Sequence, residues 1–512
     1  MNVWLLFEDC EYSKNCADMN KNEIIQDLNL EIIFKTMARN DKYIYKTVRS
    51  VMTNCLLDKR AILYRQAILT DCINYLDDFN EIYEMVALTL NMTEQFTEST
   101  KKASITKVSN AVSVLNSLEL LGILVSNMEK VKLFIDSVEN KFQAPGMCAF
   151  YDRLISDYSY EFVEKIKSSI SEMNFLTEGG EISFSATVGH GLKSKDIIVN
   201  HLVKEDFRKR KARGIATLMF YKLFKRNVVL LDDTKISQEV REMESAGLVH
   251  IMKMYQNFIK ELTSFFECLH YQLAFYIGSA NLQIRLTQLY IPTSMPHITG
   301  RGADVYKFRG LYELSLAIYN RSHPVSNNLE LEDNQLFIIT GANQGGKSTY
   351  LRSIGISQIM MQCGMFVPAE YYSNCLFDGI FSHFTRREDT AMNSGKLDEE
   401  LARMSRILDR ITPNSMLLLN ESFATTTERE GSKIATDLVN ALYENGTKLF
   451  MVTHLFEFTK AMFERKPLKT LFLSAERLAD GTRTFRIIKK EPEPTSYGVD
   501  LYDDIIGGSY SN

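Results

Sequence analysis

The glycine-rich segment at residues 341–348 is the part of the chain whose residues most directly indicate chemistry. It reads Gly341, Ala342, Asn343, Gln344, Gly345, Gly346, Lys347 and Ser348, and it matches the pattern G-x-x-x-x-G-K-[ST]. A predicted strand at residues 336–340 precedes it, and a predicted helix opens at Thr349, which is the context that a phosphate loop requires. Backbone N–H groups of such a loop surround phosphate oxygens, Lys347 supplies a positive charge and the Ser348 hydroxyl ligates Mg²⁺. The segment, with Thr349, therefore predicts a binding site for ATP with Mg²⁺.

A second apolar strand, at residues 416–419, ends in the polar pair Asn420 and Glu421. In ATPases with this kind of loop, such a strand usually ends in Asp and Glu, where the Asp holds Mg²⁺ through water and the Glu polarises the attacking water. We predict Asn420 as a metal ligand that adds no negative charge and Glu421 as the general base. The alternative is a buried strand with a solvated Glu at its end.

His454 follows a third apolar run, at residues 449–453. A histidine at the end of a buried strand can contact the terminal phosphate or orient the attacking water, so we predict His454 as a second catalytic residue. The alternative is a structural histidine.

The elements that must position these residues differ between two parts of the chain. Residues 20–300 show apolar positions at helical spacing, above all in two long stretches at 105–128 and 240–269. Between these stretches, residues 179–189 alternate like a short strand. From residue 320, short apolar runs alternate with helical segments, which predicts an α/β domain with a mainly parallel sheet.

Composition sets limits on the class of protein. The chain has 512 residues, and 59 Lys and Arg against 64 Asp and Glu give a net charge of −5, which does not indicate a nucleic-acid binder although a local basic patch remains compatible with it. Its 8 cysteines include no Cys-x-x-Cys pair, and no apolar run has the length of a membrane span. We therefore expect a cytoplasmic protein that does not bind membranes.

Four segments in order resemble the MutS family of DNA mismatch-repair ATPases. They are the phosphate loop with its Asn and doubled Gly (340–352), the segment after the loop helix (364–369), the acidic strand end with the spacing to a helix-opening Gly (420–431), and the Thr-His strand end (452–454). The resemblance covers about residues 320–500. Residues 27–30 and 64–66 are more weakly similar to the start of the family's core and lever region.

The resemblance implies an ABC-type P-loop ATPase domain at 301–512, preceded by a mainly helical core, lever and clamp region at 1–300. The sequence departs from the family pattern in three ways. It has no room before the helical region for the mismatch-reading and connector domains, Asn420 replaces the usual Asp, and most of the C-terminal dimerisation segment has no counterpart. Recognition of a mispaired base by the family's wedge residues is therefore not expected.

In ABC-type ATPases, the phosphate loop of one head faces a signature serine of the other head. Ser394 occupies that place in the order of motifs, so we predict that it binds the γ-phosphate of the partner copy and that ATP holds a homodimer together through its ATPase heads. The alternative is that Ser394 is a helix cap before a Glu-rich turn.

The densest basic run comprises Arg208, Lys209, Arg210, Lys211 and Arg213, between the two long helical stretches. It predicts either sequence-independent contacts to the DNA backbone or a solvated charged loop.

The function predicted from these features is an ATP-gated dimeric clamp on double-stranded or branched DNA, in mismatch repair or recombination. The alternative from another class is a nucleotide-dependent protein-interaction switch with little role in DNA binding, which the acidic net charge and Asn420 favour. A head domain of the SMC type has a very long coiled coil between the phosphate loop and the acidic strand. It is not expected here, because only residues 349–415 separate the two.

Overall fold

The computed structural model describes residues 3–6, 16–103, 110–177, 181–188, 194–203, 233–300, 305–386, 395–478 and 481–492. Contacts group the chain into two compact units. The first unit comprises residues 1–3, 77–142 and 148–270, and the second comprises 4–76, 143–147 and 271–512. The domain boundary predicted at residue 300 stays a prediction.

Helices dominate the described residues before position 300. In chain order they are α1 Lys21–Asp27, α2 Leu30–Ala38, α3 Lys42–Met52, α4 Lys59–Asn74, α5 Leu76–Ala103, α6 Asn110–Val138, α7 Pro145–Asp157, α8 Tyr160–Thr177 and α9 Asp233–Gln288, with a 3₁₀ turn at Glu139–Lys141. Aspartates open two of them. Asp41 accepts hydrogen bonds from the backbone N–H of Tyr43 and Ile44 at the start of α3, and Asp58 accepts one from Ala61 at the start of α4. Both side chains satisfy N–H groups that have no partner within the helix.

The two long periodic stretches are helical where the structure describes them. The first lies in α6, which begins at Asn110, so the first residues of the predicted stretch fall outside the described residues. The second lies in α9, whose 56 residues extend over about 84 Å at the usual rise of a helix. The short strand predicted at 179–189 is confirmed as β2 (Glu181–Val188), which pairs antiparallel with β3 (Ser194–Val203).

A seven-stranded sheet forms the centre of the α/β part. Its strands, in spatial order, are β1 (Asp18–Met19), β9 (Gly379–Phe384), β10 (Ser415–Asn420), β11 (Lys448–Val452), β7 (Leu336–Thr340), β12 (Thr470–Arg477) and β13 (Arg483–Lys489). All neighbouring pairs are parallel except β12 and β13. The central strands β10, β11 and β7 are buried almost throughout, as continuous apolar runs in a covered parallel sheet should be. The predicted mainly parallel sheet is confirmed.

The remaining elements of this part cover the sheet or form a smaller one. The helices are α10 Leu314–Asn320, α11 Lys347–Gln362, α12 Lys396–Leu408, α13 Glu428–Glu444 and α14 Phe456–Arg465. A four-stranded sheet has the order β4 (His297–Ile298), β8 (Tyr371–Asn374), β5 (Val305–Leu311) and β6 (Asn327–Glu332). None of the helices that the structure describes has both the length and the apolar composition needed to cross a bilayer.

The register of the large sheet explains how distant motifs come together. Asn420 on β10 lies opposite Val452 on β11, and Val452 lies opposite Ile339 on β7. Because these strands are parallel, their carboxyl ends share one edge of the sheet, where ligand sites of open α/β sheets usually lie. The phosphate loop, Glu421 and His454 all follow these three ends.

Candidate phosphate-binding site

Residues 341–348 form a tight loop between β7 and α11. Gly341 and Gly346 have φ angles of 111° and 91°, which residues other than glycine rarely adopt. A Cβ atom on Gly341 would lie 2.9 Å from the backbone nitrogen of Ala475, so the loop also needs glycine for space. The helix begins at Lys347, two residues before the predicted start, because Gly346 occupies its N-cap position.

No side chain caps this helix. The N–H groups of its first turn therefore point out of the helix without a side-chain acceptor, and the positive end of the helix dipole lies beside the loop. This arrangement fits a phosphate group, whose oxygens accept from such N–H groups.

Only 4% of the Lys347 surface is exposed, and its ammonium group contacts two carbonyl oxygens and the imidazole ring of His454. Nζ donates to the carbonyl oxygens of Gly341 at 2.7 Å and Ala342 at 3.0 Å, and it lies 3.1 Å from Nε2 of His454. Burial lowers the pKa of Lys347 to about 8, while the charge of Glu421 acts in the opposite direction. The loop thus holds a buried positive charge, which a bound anion would stabilise.

The two predicted Mg²⁺ ligands contact each other. Ser348 Oγ donates to Asn420 Oδ1 at 2.8 Å. Mg²⁺ prefers oxygen ligands and is usually bound by one or two protein groups together with phosphates and water. A hydroxyl and an amide oxygen at this distance therefore fit such an ion, although neither carries a charge. Across the described ranges, no group of three or more His, Cys, Asp or Glu side chains is arranged for a metal.

Glu421 and His454 form the second charged contact of the site. Glu421 Oε1 lies 3.2 Å from His454 Nε2, and both side chains are about one third exposed. The hydrogen bond with His454 is the main reason why the pKa of Glu421 is lowered, with burial opposing it and the charges of His454 and Lys347 assisting. Its carboxylate is therefore ionised at neutral pH and able to accept a proton.

The backbone holds Glu421 in an unusual conformation. Its φ angle is 56°, in the left-handed region. The N–H of Glu421 donates to the carbonyl of Val452 at 2.8 Å, and Thr385 Oγ1 donates to the carbonyl of Glu421 at 2.6 Å. These two bonds fix the turn at the strand end, and strain of this kind is common at functional sites.

A cavity of about 530 Å³ lies against the loop. Its walls include residues 343–349 and Glu421, together with Tyr312, Glu313, Leu316, His323 and Phe485. The sequence did not identify these last five, since they come from α10, its flanks and β13 and belong to no motif. Pro324, Val325 and Asn327 also line the cavity. The volume is in the range of small-molecule sites.

Ser394 and the basic run Arg208, Lys209, Arg210, Lys211 and Arg213 lie outside the described residues. The helix α12, which follows Ser394, has Gly395 at its N-cap and receives no side-chain cap bond. All other predicted site residues meet at one edge of the sheet.

Comparison with known proteins identifies two regions of the chain. The family model described as MutS domain V matches residues 337–505, and the one described as MutS2 N-terminal domain matches residues 57–289. The protein named DNA mismatch repair protein MutS from Thermus aquaticus is 35% identical over 184 residues, which cover 36% of this chain and 22% of that protein. The protein of the same name from Thermosipho melanesiensis is 28% identical over 276 residues, which cover 52% of this chain and 33% of that protein.

The matched residues thus span between 22% and 33% of these relatives. The two family matches cover both the helical part and the part with the phosphate loop. On these findings, the chain belongs to the MutS family.

Proposed function

We propose that this chain binds ATP with Mg²⁺ and hydrolyses it to ADP and phosphate at the loop of residues 341–348. The observation that carries this proposal is the convergence of Lys347, Ser348, Asn420, Glu421 and His454 at one edge of the parallel sheet. These residues come from three strand ends and supply a cation, oxygen ligands and a base, which are the groups that phosphoryl transfer to water requires.

Each residue has one role in this proposal. Lys347 and the N–H groups at the start of α11 bind the phosphates, with residues 341–349 surrounding them, and Ser348 and Asn420 hold Mg²⁺, which neutralises phosphate charge when bound. Glu421 accepts the proton of the attacking water. His454, 3.2 Å from the carboxylate and 3.1 Å from the ammonium group, orients Glu421 and the water relative to the terminal phosphate.

An ABC-type arrangement would complete the site with a second copy of the chain. We infer that Ser394 of one copy contacts the terminal phosphate bound by the other, so that ATP stabilises a homodimer. The uncapped start of α12 supports this assignment, because its first N–H groups can donate hydrogen bonds to an anion. Gel filtration with light scattering, at saturating Mg·ATP and with Glu421→Gln to block turnover, tests it. A chain that stays monomeric under these conditions contradicts the dimer.

The family supports a role on DNA, and the MutS relatives carry DNA mismatch repair in their names. We propose a cytoplasmic, ATP-gated clamp on double-stranded or branched DNA, in repair or recombination, with Arg208, Lys209, Arg210, Lys211 and Arg213 on the phosphate backbone. DNA binding measured with and without ATP at several salt concentrations tests this role. Replacement of the five basic residues by Ala should weaken binding and reduce its salt dependence.

A second candidate function is a nucleotide-dependent switch for protein interactions. It is favoured by Asn420, which brings no charge to Mg²⁺, and by the net charge of −5. An ATPase assay against linear, mismatched and branched DNA separates the two. Stimulation by any of these DNAs supports the clamp, whereas ATP-driven dimerisation without DNA affinity at low salt supports the switch.

A further inference from the structure

A second, smaller cavity lies beside α12 and contains a buried arginine. Its volume is about 160 Å³, and the side chains that matter for its chemistry are Asn20, Glu23, His383, Arg403, Arg406 and Arg410. None of these residues lines the cavity at the phosphate loop. The two cavities are therefore lined by separate sets of residues.

Arg403 is only 6% exposed. Of the two terminal nitrogens of its guanidinium group, Nη2 has partners in the protein. Nη2 donates to the carbonyl of Phe384 at 2.8 Å and lies 3.2 Å from His383 Nε2. Nη1, by contrast, is buried without any hydrogen-bond partner. A buried polar group in this condition requires an explanation, and an ion bound in the adjacent cavity is one.

No carboxylate among the described residues lies within ion-pair distance of Arg403, although the charges of Asp27, Glu400 and Glu399 act on it from further away. Glu400, on the same helix, uses its two oxygens elsewhere. Oε1 accepts from the backbone N–H of Phe423 at 2.9 Å, and Oε2 accepts from Thr425 Oγ1 at 2.7 Å. Burial still disfavours the charged form of Arg403 and lowers its pKa, so an anion in the cavity would stabilise this side chain.

Two more arginines line the same cavity: Arg406 on α12 and Arg410 just after the end of that helix. Arg410 is paired with Asp18 and also donates to the carbonyl of Met19 at 2.8 Å. Arg406 is exposed, and no described residue forms an ion pair with it. Glu23 is the carboxylate in the lining, so an anion bound here must face Arg403 and Arg406 rather than Glu23.

The size of the cavity limits what it can hold. A water molecule occupies about 30 Å³ in the liquid, so the cavity has room for about five water molecules, each with one non-hydrogen atom. A phosphate ion, with one phosphorus and four oxygen atoms, has this size. Guanidinium groups bind phosphate oxygens through several N–H donors at once.

We propose that this cavity binds a phosphate group, held by Nη1 of Arg403 and by the guanidinium of Arg406. A phosphate bound to Arg403 and Arg406 would stabilise the existing contact between α12 and β9, where Arg403 bonds to Phe384 and contacts His383. His383 in turn lies 2.8 Å from Ser422 Oγ, next to Glu421. Occupancy of the cavity would thus restrain the turn that carries Glu421, the proposed base. Phosphate binding in this cavity does not itself depend on ATP binding at the loop.

Equilibrium dialysis of the full chain against labelled inorganic phosphate tests the site. Lys347→Ala is used as the background, so that binding at the loop is weakened equally in every arm. We expect about one saturable phosphate per chain, and Arg406→Ala should weaken its binding by about tenfold or more, since charge-assisted hydrogen bonds are lost. Arg429→Ala, an exposed arginine on α13 away from the cavity, is the matched control and should bind as the background does.

Arg403→Gln should weaken phosphate binding at least as much as Arg406→Ala. Should Arg403→Gln fail to fold, Arg406→Ala decides alone, since Arg406 is exposed. Absence of saturable binding in the background, or equal affinity in Arg406→Ala and Arg429→Ala, overturns the proposal.

Competition by an oligonucleotide with a 5′-phosphate, but not by the same oligonucleotide with a 5′-hydroxyl, would support the site and identify a nucleic-acid end as its source. Lack of competition beside phosphate binding would support the site and identify the free ion.

Discussion

Two clusters at the same sheet each combine a histidine, a glutamate and a basic residue, and they differ in what those residues face. At the phosphate loop, His454 contacts Glu421 and Lys347, and Glu421 and Lys347 line a cavity of about 530 Å³. In the cluster formed by His383, Glu400 and Arg403, the glutamate bonds to Phe423 N–H and Thr425, and Arg403 bonds to a backbone carbonyl.

The environments shift these groups differently. Burial, aided by the charge of Arg403, lowers the pKa of His383 to about 4, so this histidine is neutral at physiological pH. The carboxylate of Glu421 is held ionised mainly by its hydrogen bond to His454. Residue type alone therefore does not distinguish a reactive cluster from a structural one. The partners of the glutamate do: Glu421 lines the cavity at the phosphate loop, whereas both oxygens of Glu400 accept hydrogen bonds from protein groups.

The strongest test of this comparison exchanges the two glutamates for glutamine. Glu421→Gln should lower the rate of ATP hydrolysis by about 10²–10⁴-fold, since it removes the proposed base, while Mg·ATP binding is retained. Glu400→Gln should instead lower the free energy of unfolding by about 1–3 kcal/mol, because one of its two acceptor oxygens is replaced by an amide nitrogen.

Steady-state ATPase rates and urea unfolding of both variants provide the measurement. The comparison fails if Glu400→Gln loses turnover as completely as Glu421→Gln while it remains folded. It also fails if Glu421→Gln hydrolyses ATP at the rate of the parent.

A pH titration of nucleotide binding sharpens the account of Lys347. A phosphate binds the charged form, and this form is lost as pH rises through the pKa of about 8. Affinity for Mg·ATP should therefore be constant below about pH 7.5 and fall above pH 8 by up to tenfold per pH unit. Lys347→Arg, which keeps its charge over this range, is the control and should show no such fall. Equal pH profiles for parent and Lys347→Arg would contradict this role.

Several parts of the site could be predicted from sequence because their signals are contiguous. The loop at 341–348 is a single motif, and Asn420, Glu421 and His454 follow apolar runs that could be recognised as buried strands. The parallel arrangement then brings those ends together. The cavity wall had no such signal, since Tyr312, His323 and Phe485 come from separate elements and only the tertiary fold combines them.

Other features depend on geometry that no local pattern records. The strand β1 has only two residues, too few for a periodic signal, yet it pairs with β9 at the edge of the large sheet. The left-handed conformation of Glu421 is likewise invisible in the sequence, because glutamate rarely adopts it without tertiary restraint. Contacts from Val452 and Thr385 impose it.

The smallest expected effect concerns the metal. Asn420→Asp adds a negative charge beside Ser348 Oγ, where Mg²⁺ is proposed to bind, and should raise Mg²⁺ affinity several-fold, about tenfold at most if water screens the site. Titration of Mg²⁺ at fixed ATP, with the ATPase rate as readout, measures it. A folded variant with unchanged or weaker Mg²⁺ dependence would remove Asn420 from the metal site.

Equilibrium binding of Mg·ATP to the parent and to Lys347→Ala tests the central claim most directly. If the loop at 341–348 holds the triphosphate through this buried ammonium group, the parent should bind about one nucleotide per chain. Lys347→Ala should then bind it at least about tenfold more weakly, with its fold retained by circular dichroism. Parent protein that retains no nucleotide, or a folded Lys347→Ala variant that binds as tightly as the parent, would contradict the account.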